Sequence, residues 1–178
     1  MLIAAERSVL LVVDVQERLA PAIHGGEAAT RAIEVLMRAA ARLEVPRLVT
    51  EQYPAGLGAT VPALAALTAP HERMEKIHFS AVAEPEFLAR LGPRPDVVVC
   101  GFEAHVCVLQ TTLGLLASGR RVCVVADGVS SRRPADAAAG LRRMAAAGAE
   151  VVTAEMVVFE WLRRAGTPEF KDLLRLIK

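Results

Sequence analysis

Short runs rich in valine alternate along this chain with longer alanine-rich stretches, and this alternation restricts the fold more than any other feature. Continuous apolar runs are typical of strands that are covered on both faces of a parallel sheet. Glycine or proline punctuation and β-branched residues favour strands over buried helices in these runs. The predicted strands, of which the third is the weakest, are Ser8 to Val13, Val45 to Thr50, Arg73 to Ile77, Asp96 to Cys100, Arg121 to Ala126 and Glu150 to Thr153.

Amphipathic segments with helical period separate these runs. They are Glu27 to Leu43, His105 to Ser118, Pro134 to Ala147, Glu155 to Arg164 and Pro168 to Ile177, while Gln52 to Thr60 is predicted to be a loop. The alternation predicts an α/β fold: one domain over residues 1–178 with an open six-stranded parallel sheet and helices on both faces, a Rossmann-like three-layer arrangement. Open sheets of this kind bind ligands at the carboxyl ends of their strands.

Composition narrows the partners of the chain. Hydrophobic residues make up 53% of the 178 residues, charged residues 23%, and the net charge is +1. Such a balance gives no electrostatic attraction to nucleic acid or to an anionic membrane, so we expect neither partner. Three cysteines without CxxC spacing argue against a disulfide framework and predict a cytoplasmic protein.

Chemically useful side chains stand at three of the predicted strand ends. Asp14 follows the first strand, Lys76 closes the third, and Cys107 lies a few residues after the fourth, at the start of a helix. Asp14 alone also fits a helix cap, and Lys76 alone fits a solvated edge residue. A thiol in the first turn of a helix faces free N–H groups and the positive end of the helix dipole, which should favour its thiolate.

The remaining cysteines and the histidines carry weaker signals. Cys100 and Cys123 lie among valines inside strands, where a thiol behaves as a small hydrophobic group. The four histidines have no metal-ligand spacing, so we predict neither a metal site nor a cofactor. His105 is two residues from Cys107, which points the two side chains in different directions on a helix.

Three sequence blocks resemble the isochorismatase-like cysteine hydrolases, which include nicotinamidases. The blocks are LLVVDVQERL at residues 10–19, EKIHFSA at 75–81 and VVVCGFEAHVCVLQT at 97–111. The stretch LVTEQYPAGLGATV at residues 48–61 is similar to the subgroup called isochorismatase domain-containing proteins. The resemblance runs from the first strand to about Thr153.

This resemblance implies a catalytic triad of Asp14, Lys76 and Cys107, and a homo-oligomer. It also implies a cis peptide bond at Phe102–Glu103, which would aim the backbone N–H of Glu103, with that of Cys107, at a developing oxyanion. Leu19, Gln52, Tyr53 and Phe79 follow strand ends and are candidates for substrate binding, although core packing explains Leu19 and Phe79 equally well.

The sequence departs from two branches of the family. Nicotinamidases carry an Asp-x-His motif that binds metal, and Thr50-Glu51-Gln52-Tyr53 stands in its place here. True isochorismatases lack the nucleophilic cysteine that this chain has. The resemblance therefore implies hydrolysis of a carbon–nitrogen bond in a small molecule, through a Cys107 thioester. The alternative is a protein that keeps the fold for interaction or thiol sensing.

Two other classes of enzyme are disfavoured by the first strand end. A dinucleotide-binding domain needs a glycine-rich turn there, and residues 14–19 contain no glycine. A phosphatase of the two-aspartate type would want a second aspartate at position 16, where Gln16 stands.

Overall fold

One sheet of six parallel strands organises the molecule. The computed structural model describes residues 1–177, so the last residue of the predicted domain lies outside the described residues. The strands are β1 (Ser8–Val13), β2 (Arg47–Gln52), β3 (Arg73–Lys76), β4 (Asp96–Phe102), β5 (Arg121–Ser130) and β6 (Glu150–Val152). Their spatial order is β3-β2-β1-β4-β5-β6. From β1 the chain adds β2 and β3 on one side of the sheet, and it then adds β4, β5 and β6 on the other side. Such a change of side between two neighbouring strands, here β1 and β4, opens a crevice at their carboxyl ends.

The helices cover both faces of this sheet. They are α1 (Gly26–Arg42), α2 (Pro54–Leu57), α3 (Pro62–Ala65), α4 (Phe87–Leu91), α5 (Cys107–Ala117), α6 (Pro134–Ala146), α7 (Ala154–Leu162) and α8 (Pro168–Ile177). One hydrophobic cluster joins the sheet to α1, α7 and α8, and a second cluster joins it to α4, α5 and α6. The predicted three-layer fold is confirmed.

Strand β1 supplies both clusters because successive side chains of a strand point to opposite faces. Leu10 and Val12 belong to the cluster beneath α1, while Val9, Leu11 and Val13 belong to the cluster beneath α5. All six residues of β1 are buried. This double burial explains why the sequence of the strand is a continuous apolar run.

Some predicted boundaries are wrong by a few residues. Helix α5 begins at Cys107 instead of His105, and β5 continues to Ser130. The predicted loop at Gln52–Thr60 contains α2, a single helical turn. Such a turn is too short to produce a helical period in the sequence.

Gly101 allows β1 and β4 to approach each other closely at the crevice. Its φ is +126°, and a Cβ atom at this position would lie 2.1 Å from the carbonyl oxygen of Val13. Any side chain would therefore clash with the backbone of the neighbouring strand and also adopt an unfavourable φ.

We expect Gly101→Ala to lower the free energy of unfolding by at least about 3 kcal/mol, because it adds a backbone clash to the strain of a positive φ. Gly148→Ala is the matched control, since Gly148 has a φ of +104° and an added methyl group there would meet no atom within 4 Å. The control should lose only about 1–2 kcal/mol. Denaturant unfolding measures both, and equal losses would contradict the clash.

Candidate functional site

Asp14 places a carboxylate at the carboxyl end of β1, beside the crevice. The residue is 1% exposed and adopts a φ of +53°, a conformation that Asp tolerates better than most residues. The Thr50 hydroxyl donates a hydrogen bond of 2.7 Å to Asp14 Oδ1. Thr50 lies opposite Val13 in the register of β1 and β2, so the strand pairing itself sets this contact.

Lys76 brings an ammonium group to the same carboxylate from two strands away. Its Nζ lies 2.8 Å from Asp14 Oδ2, and both side chains are almost completely buried. Oδ2 faces the ammonium as an ion pair but receives no well-aligned hydrogen bond. One oxygen of Asp14 is therefore held by Thr50, and the other remains able to accept a proton.

The ammonium of Lys76 has further acceptors on its other sides. It donates to Gln52 Oε1 at 2.6 Å and to the carbonyl oxygens of His78 and Phe79 at 3.2 Å each. A buried charge is costly unless it is paired and hydrogen-bonded. Asp14 supplies the countercharge, and the three neutral acceptors complete the coordination of the ammonium.

Cys107 is the first residue of α5 and is 6% exposed. Its pKa is raised to about 12, chiefly by burial and then by the negative charge of Asp14, while the charge of Lys76 opposes the rise. Because both charges act on this pKa, the thiol lies near Asp14 and Lys76.

The expectation that the helix terminus favours a thiolate is wrong for this resting structure. Burial and the neighbouring carboxylate raise the pKa of the thiol and so oppose the effect expected from the helix terminus. Cys107 is therefore a neutral thiol at neutral pH. Cys100 and Cys123 are also buried, in the strands and among hydrophobic residues as the sequence suggested.

The predicted cis peptide at Phe102–Glu103 is wrong: the described residues contain no cis peptide bond, so this bond is trans. A trans bond is favoured by about 3 kcal/mol for residues other than proline. The chain instead turns through Glu103 in a left-handed conformation, with a φ of +56°. Its carboxylate is nearly buried and forms an ion pair with Arg132, while the N–H groups of Glu103 and Cys107 donate to no protein acceptor within residues 1–177.

The candidate substrate-binding residues have different surroundings. Gln52 is 9% exposed. Its amide oxygen accepts a hydrogen bond from Lys76, and its Nε2 donates to the carbonyl oxygen of Ile77 at 2.7 Å. Tyr53 and Phe79 are each 54% exposed. Leu19 is partly buried against the core cluster of α1. A surface cleft of about 380 Å³ is lined in part by Tyr53 and Lys76, but not by Asp14 or Cys107.

Two polar residues support the site from the neighbouring strand and loop. Sequence reasoning missed Thr50 as a partner of Asp14, although a polar residue ending an apolar strand was visible. The side chain of Gln16 joins the loop after β1 to Gln52 through Oε1 and Nε2, and its Nε2 also donates to Gly58. Gln16 therefore ties the segment that follows Asp14 to the end of β2.

Two features are absent from the part of the chain that the structure describes. Among residues 1–177, no three His, Cys, Asp or Glu side chains gather in an arrangement that would hold a metal ion. No helix within the same range combines the length and the apolar character needed to cross a membrane.

Comparison with known proteins finds relatives of this chain. A family model described as isochorismatase domain matches residues 8–156. Isochorismatase domain-containing protein 2 of Macaca fascicularis is 40% identical over 174 residues, which are 96% of this chain and 83% of that protein.

Two solved structures share the fold over nearly the whole chain. The structure of MAR1 ribonuclease from Caenorhabditis elegans has a TM-score of 0.93 and 38% identity, with 99% of this chain and 92% of that chain covered. The YcaC gene product of Escherichia coli, described as an octameric hydrolase of unknown specificity, has a TM-score of 0.91 at 20% identity, with coverages of 99% and 90%. The latter identity supports the fold alone.

We expect Lys76→Met to lower the free energy of unfolding by about 3–5 kcal/mol, because it leaves the buried Asp14 carboxylate without a countercharge. The double variant Asp14→Asn, Lys76→Met should lose less than the sum of its single variants. Lys171→Met, at an exposed lysine, is the control and should change little. Additive losses in a denaturant double-mutant cycle would contradict an energetic coupling of the pair.

Proposed function

Because the chain belongs to the isochorismatase family, we propose that it is a cysteine hydrolase that cleaves a carbon–nitrogen bond of the amide type in a small molecule. Asp14, Lys76 and Cys107 are the proposed catalytic residues. The observation that carries the proposal is the buried contact of 2.8 Å between Lys76 Nζ and Asp14 Oδ2, with a thiol whose pKa responds to both groups.

In the first half of the reaction, Asp14 accepts the thiol proton as Cys107 Sγ attacks the amide carbonyl carbon. The ammonium of Lys76 compensates the negative charge that leaves Asp14 and appears on sulfur. When the tetrahedral intermediate collapses, the carbon–nitrogen bond breaks, and Asp14 returns the proton to the departing amine. The products of this half are a free amine and a thioester on Cys107.

In the second half, water attacks the thioester carbonyl, and Asp14 accepts a proton from the water. Collapse of this intermediate breaks the carbon–sulfur bond and releases a carboxylic acid. The proton returns from Asp14 to sulfur, which restores the neutral thiol. Protons and electron pairs balance through these groups alone, so the proposal includes no cofactor and no metal.

Two backbone N–H groups, those of Glu103 and Cys107, are the proposed donors to the oxyanion. Neither group donates to a protein acceptor in the described chain, so both are free to bind an oxyanion. A single oxyanion donor contributes a factor of about a hundred or more to the rate. In this proposal the left-handed turn at Glu103, rather than a cis peptide bond, orients the Glu103 N–H group.

Tyr53 and Phe79, each about half exposed on the segments that follow β2 and β3, are proposed to contact substrate, with Leu19 as a further wall. Gln52 is proposed to hold Lys76 in place rather than to contact substrate, because its amide oxygen accepts a hydrogen bond from the ammonium group. We also propose a cytoplasmic location. The support is that all three cysteines are free thiols, which fits a reducing compartment.

The catalytic proposal predicts that Cys107→Ala abolishes amine release from a library of small amides, and that Asp14→Asn lowers it by at least about a hundredfold. Mass spectrometry of an enzyme quenched during turnover should find an acyl group on Cys107 alone. Cys123→Ala, which removes another buried thiol, is the matched control and should retain activity.

The same variants separate the rival functions. RNA cleavage is a second candidate, because a protein with 38% identity over 99% of this chain bears the name MAR1 ribonuclease. A thiol sensor would react with peroxide at Cys107 but release no amine. RNA cleavage without amide turnover, or peroxide reactivity without amide turnover, would contradict the thioester mechanism.

We propose in addition that the protein is a homo-oligomer. Ile77 is 60% exposed, and Tyr53 and Phe79 are each 54% exposed, on the segments that follow β2 and β3. Large apolar side chains grouped in this way favour association. Sedimentation should give a mass of two or more times 19.0 kDa, and a single-chain mass at micromolar concentration would contradict this proposal.

A further inference from the structure

An exposed segment after β3 coordinates the buried ammonium of the site. The carbonyl oxygens of His78 and Phe79 accept hydrogen bonds from Lys76 Nζ, and the carbonyl oxygen of Ile77 accepts from Gln52 Nε2. Three successive carbonyl groups therefore point inward, while the three side chains remain exposed. The segment has no strand pairing beyond Lys76, so something else must keep it in this conformation.

Glu84 supplies that restraint on the outer side of the segment. Its Oε1 accepts hydrogen bonds from the backbone N–H of Ile77 at 2.8 Å and of His78 at 2.9 Å. The Nδ1 atom of His78 lies 2.9 Å from the same oxygen. One carboxylate oxygen thus contacts three nitrogen atoms of two adjacent residues.

We propose that Glu84 is a positioning residue: it braces the segment Ile77–Phe79 and thereby holds the Lys76 ammonium against Asp14 and Cys107. Glu84 fixes the first two N–H groups of the segment, and the carbonyl groups of the next two peptide planes, those of His78 and Phe79, bind Lys76. Because successive peptide planes are linked, release of the outer contacts frees the inner ones. This inference rests on the proposed function, in which Lys76 compensates the charge on sulfur.

The charge of Glu84 agrees with this role. The backbone N–H groups of His78 and Ile77 lower the pKa of its carboxyl. A lowered pKa in the folded state means that the brace is fully charged above the ordinary Glu value of about 4.3, and that it is lost as the pH falls through the lowered value. At alkaline pH Glu84 therefore stays ionised, so its own protonation does not affect a titration of the Cys107 thiol in that range.

The test is the rate at which Cys107 is alkylated by iodoacetamide, measured from neutral to alkaline pH and located by mass spectrometry. Only the thiolate reacts, so the rate reports how well the ammonium stabilises it. Glu84→Ala should lower the rate at a given pH by about threefold to tenfold, which is up to one pKa unit. Glu84→Gln keeps an acceptor oxygen for the two amides and should restore much of the rate.

Glu86→Ala is the matched control, because Glu86 is an exposed glutamate two residues further along the chain, and its rate should equal that of the unaltered protein. Lys76→Met distinguishes the two proposals. If Lys76→Met lowers the rate and Glu84→Ala does not, the brace is overturned and the proposed function stands. If Lys76→Met leaves the rate unchanged, the proposed role of Lys76 itself fails.

Folding must be separated from positioning in this experiment. Thermal melting of each variant identifies any that does not fold. Should Glu84→Ala be one of them, Glu84→Asp decides, because it keeps the charge but withdraws the carboxylate from the amides by one methylene. An alkylation curve of Glu84→Asp that superimposes on that of the unaltered protein would overturn the inference.

Discussion

The buried ion pair between Asp14 and Lys76 governs the construction of the rest of this site. Two charges removed from water cost several kcal/mol each unless every neighbouring group is arranged to compensate them. The surroundings meet that demand with the Thr50 hydroxyl on the carboxylate, and with the Gln52 amide and two carbonyl groups on the ammonium. Because β1, β2 and β3 are neighbours, the sheet brings these groups from three strands to one edge.

The state of the thiol follows from the same surroundings. A cysteine at a helix terminus is usually expected to lose its proton easily, yet burial and the carboxylate raise the pKa of Cys107 to about 12. A nucleophile that rests in its neutral form needs a base in contact with it. In the proposed function that base is Asp14, whose Oδ2 lacks a well-aligned hydrogen bond. A neutral resting thiol is also less exposed to adventitious oxidation.

Much of the fold was predictable from the sequence because strands that are buried on both faces have continuous apolar sequences. Ser8–Val13 and Pro168–Ile177 were predicted to the residue, and the polar residues that end strands indicated where chemistry should be sought. Their positions at predicted strand ends suggested that Asp14, Lys76 and Cys107 meet, and the family resemblance implied that they form a triad. The trans bond before Glu103 and the turn of α2 were not predictable, because both depend on the local backbone rather than on a pattern of side chains.

Contacts that hold the site in place were the least visible in the sequence. Gln52 and Glu84 are ordinary polar residues at positions 52 and 84, and only the tertiary structure reveals that both serve Lys76, one directly and one through the segment Ile77–Phe79. A hydrogen bond between a side chain and a distant backbone group has no sequence period. Sequence patterns therefore predict the location of such a site better than they predict its support.

Strand β3 has only four residues and pairs with β2 alone at the margin of the sheet. Marginal strands open by local fluctuations that require much less free energy than global unfolding. Opening of β3 would carry Lys76 out of the site while Asp14 and Cys107 stayed on the central strands and their flanking helix. The proposed chemistry is thus coupled to a short strand at the edge of the sheet, so heat or denaturant should silence the site reversibly before the core begins to melt.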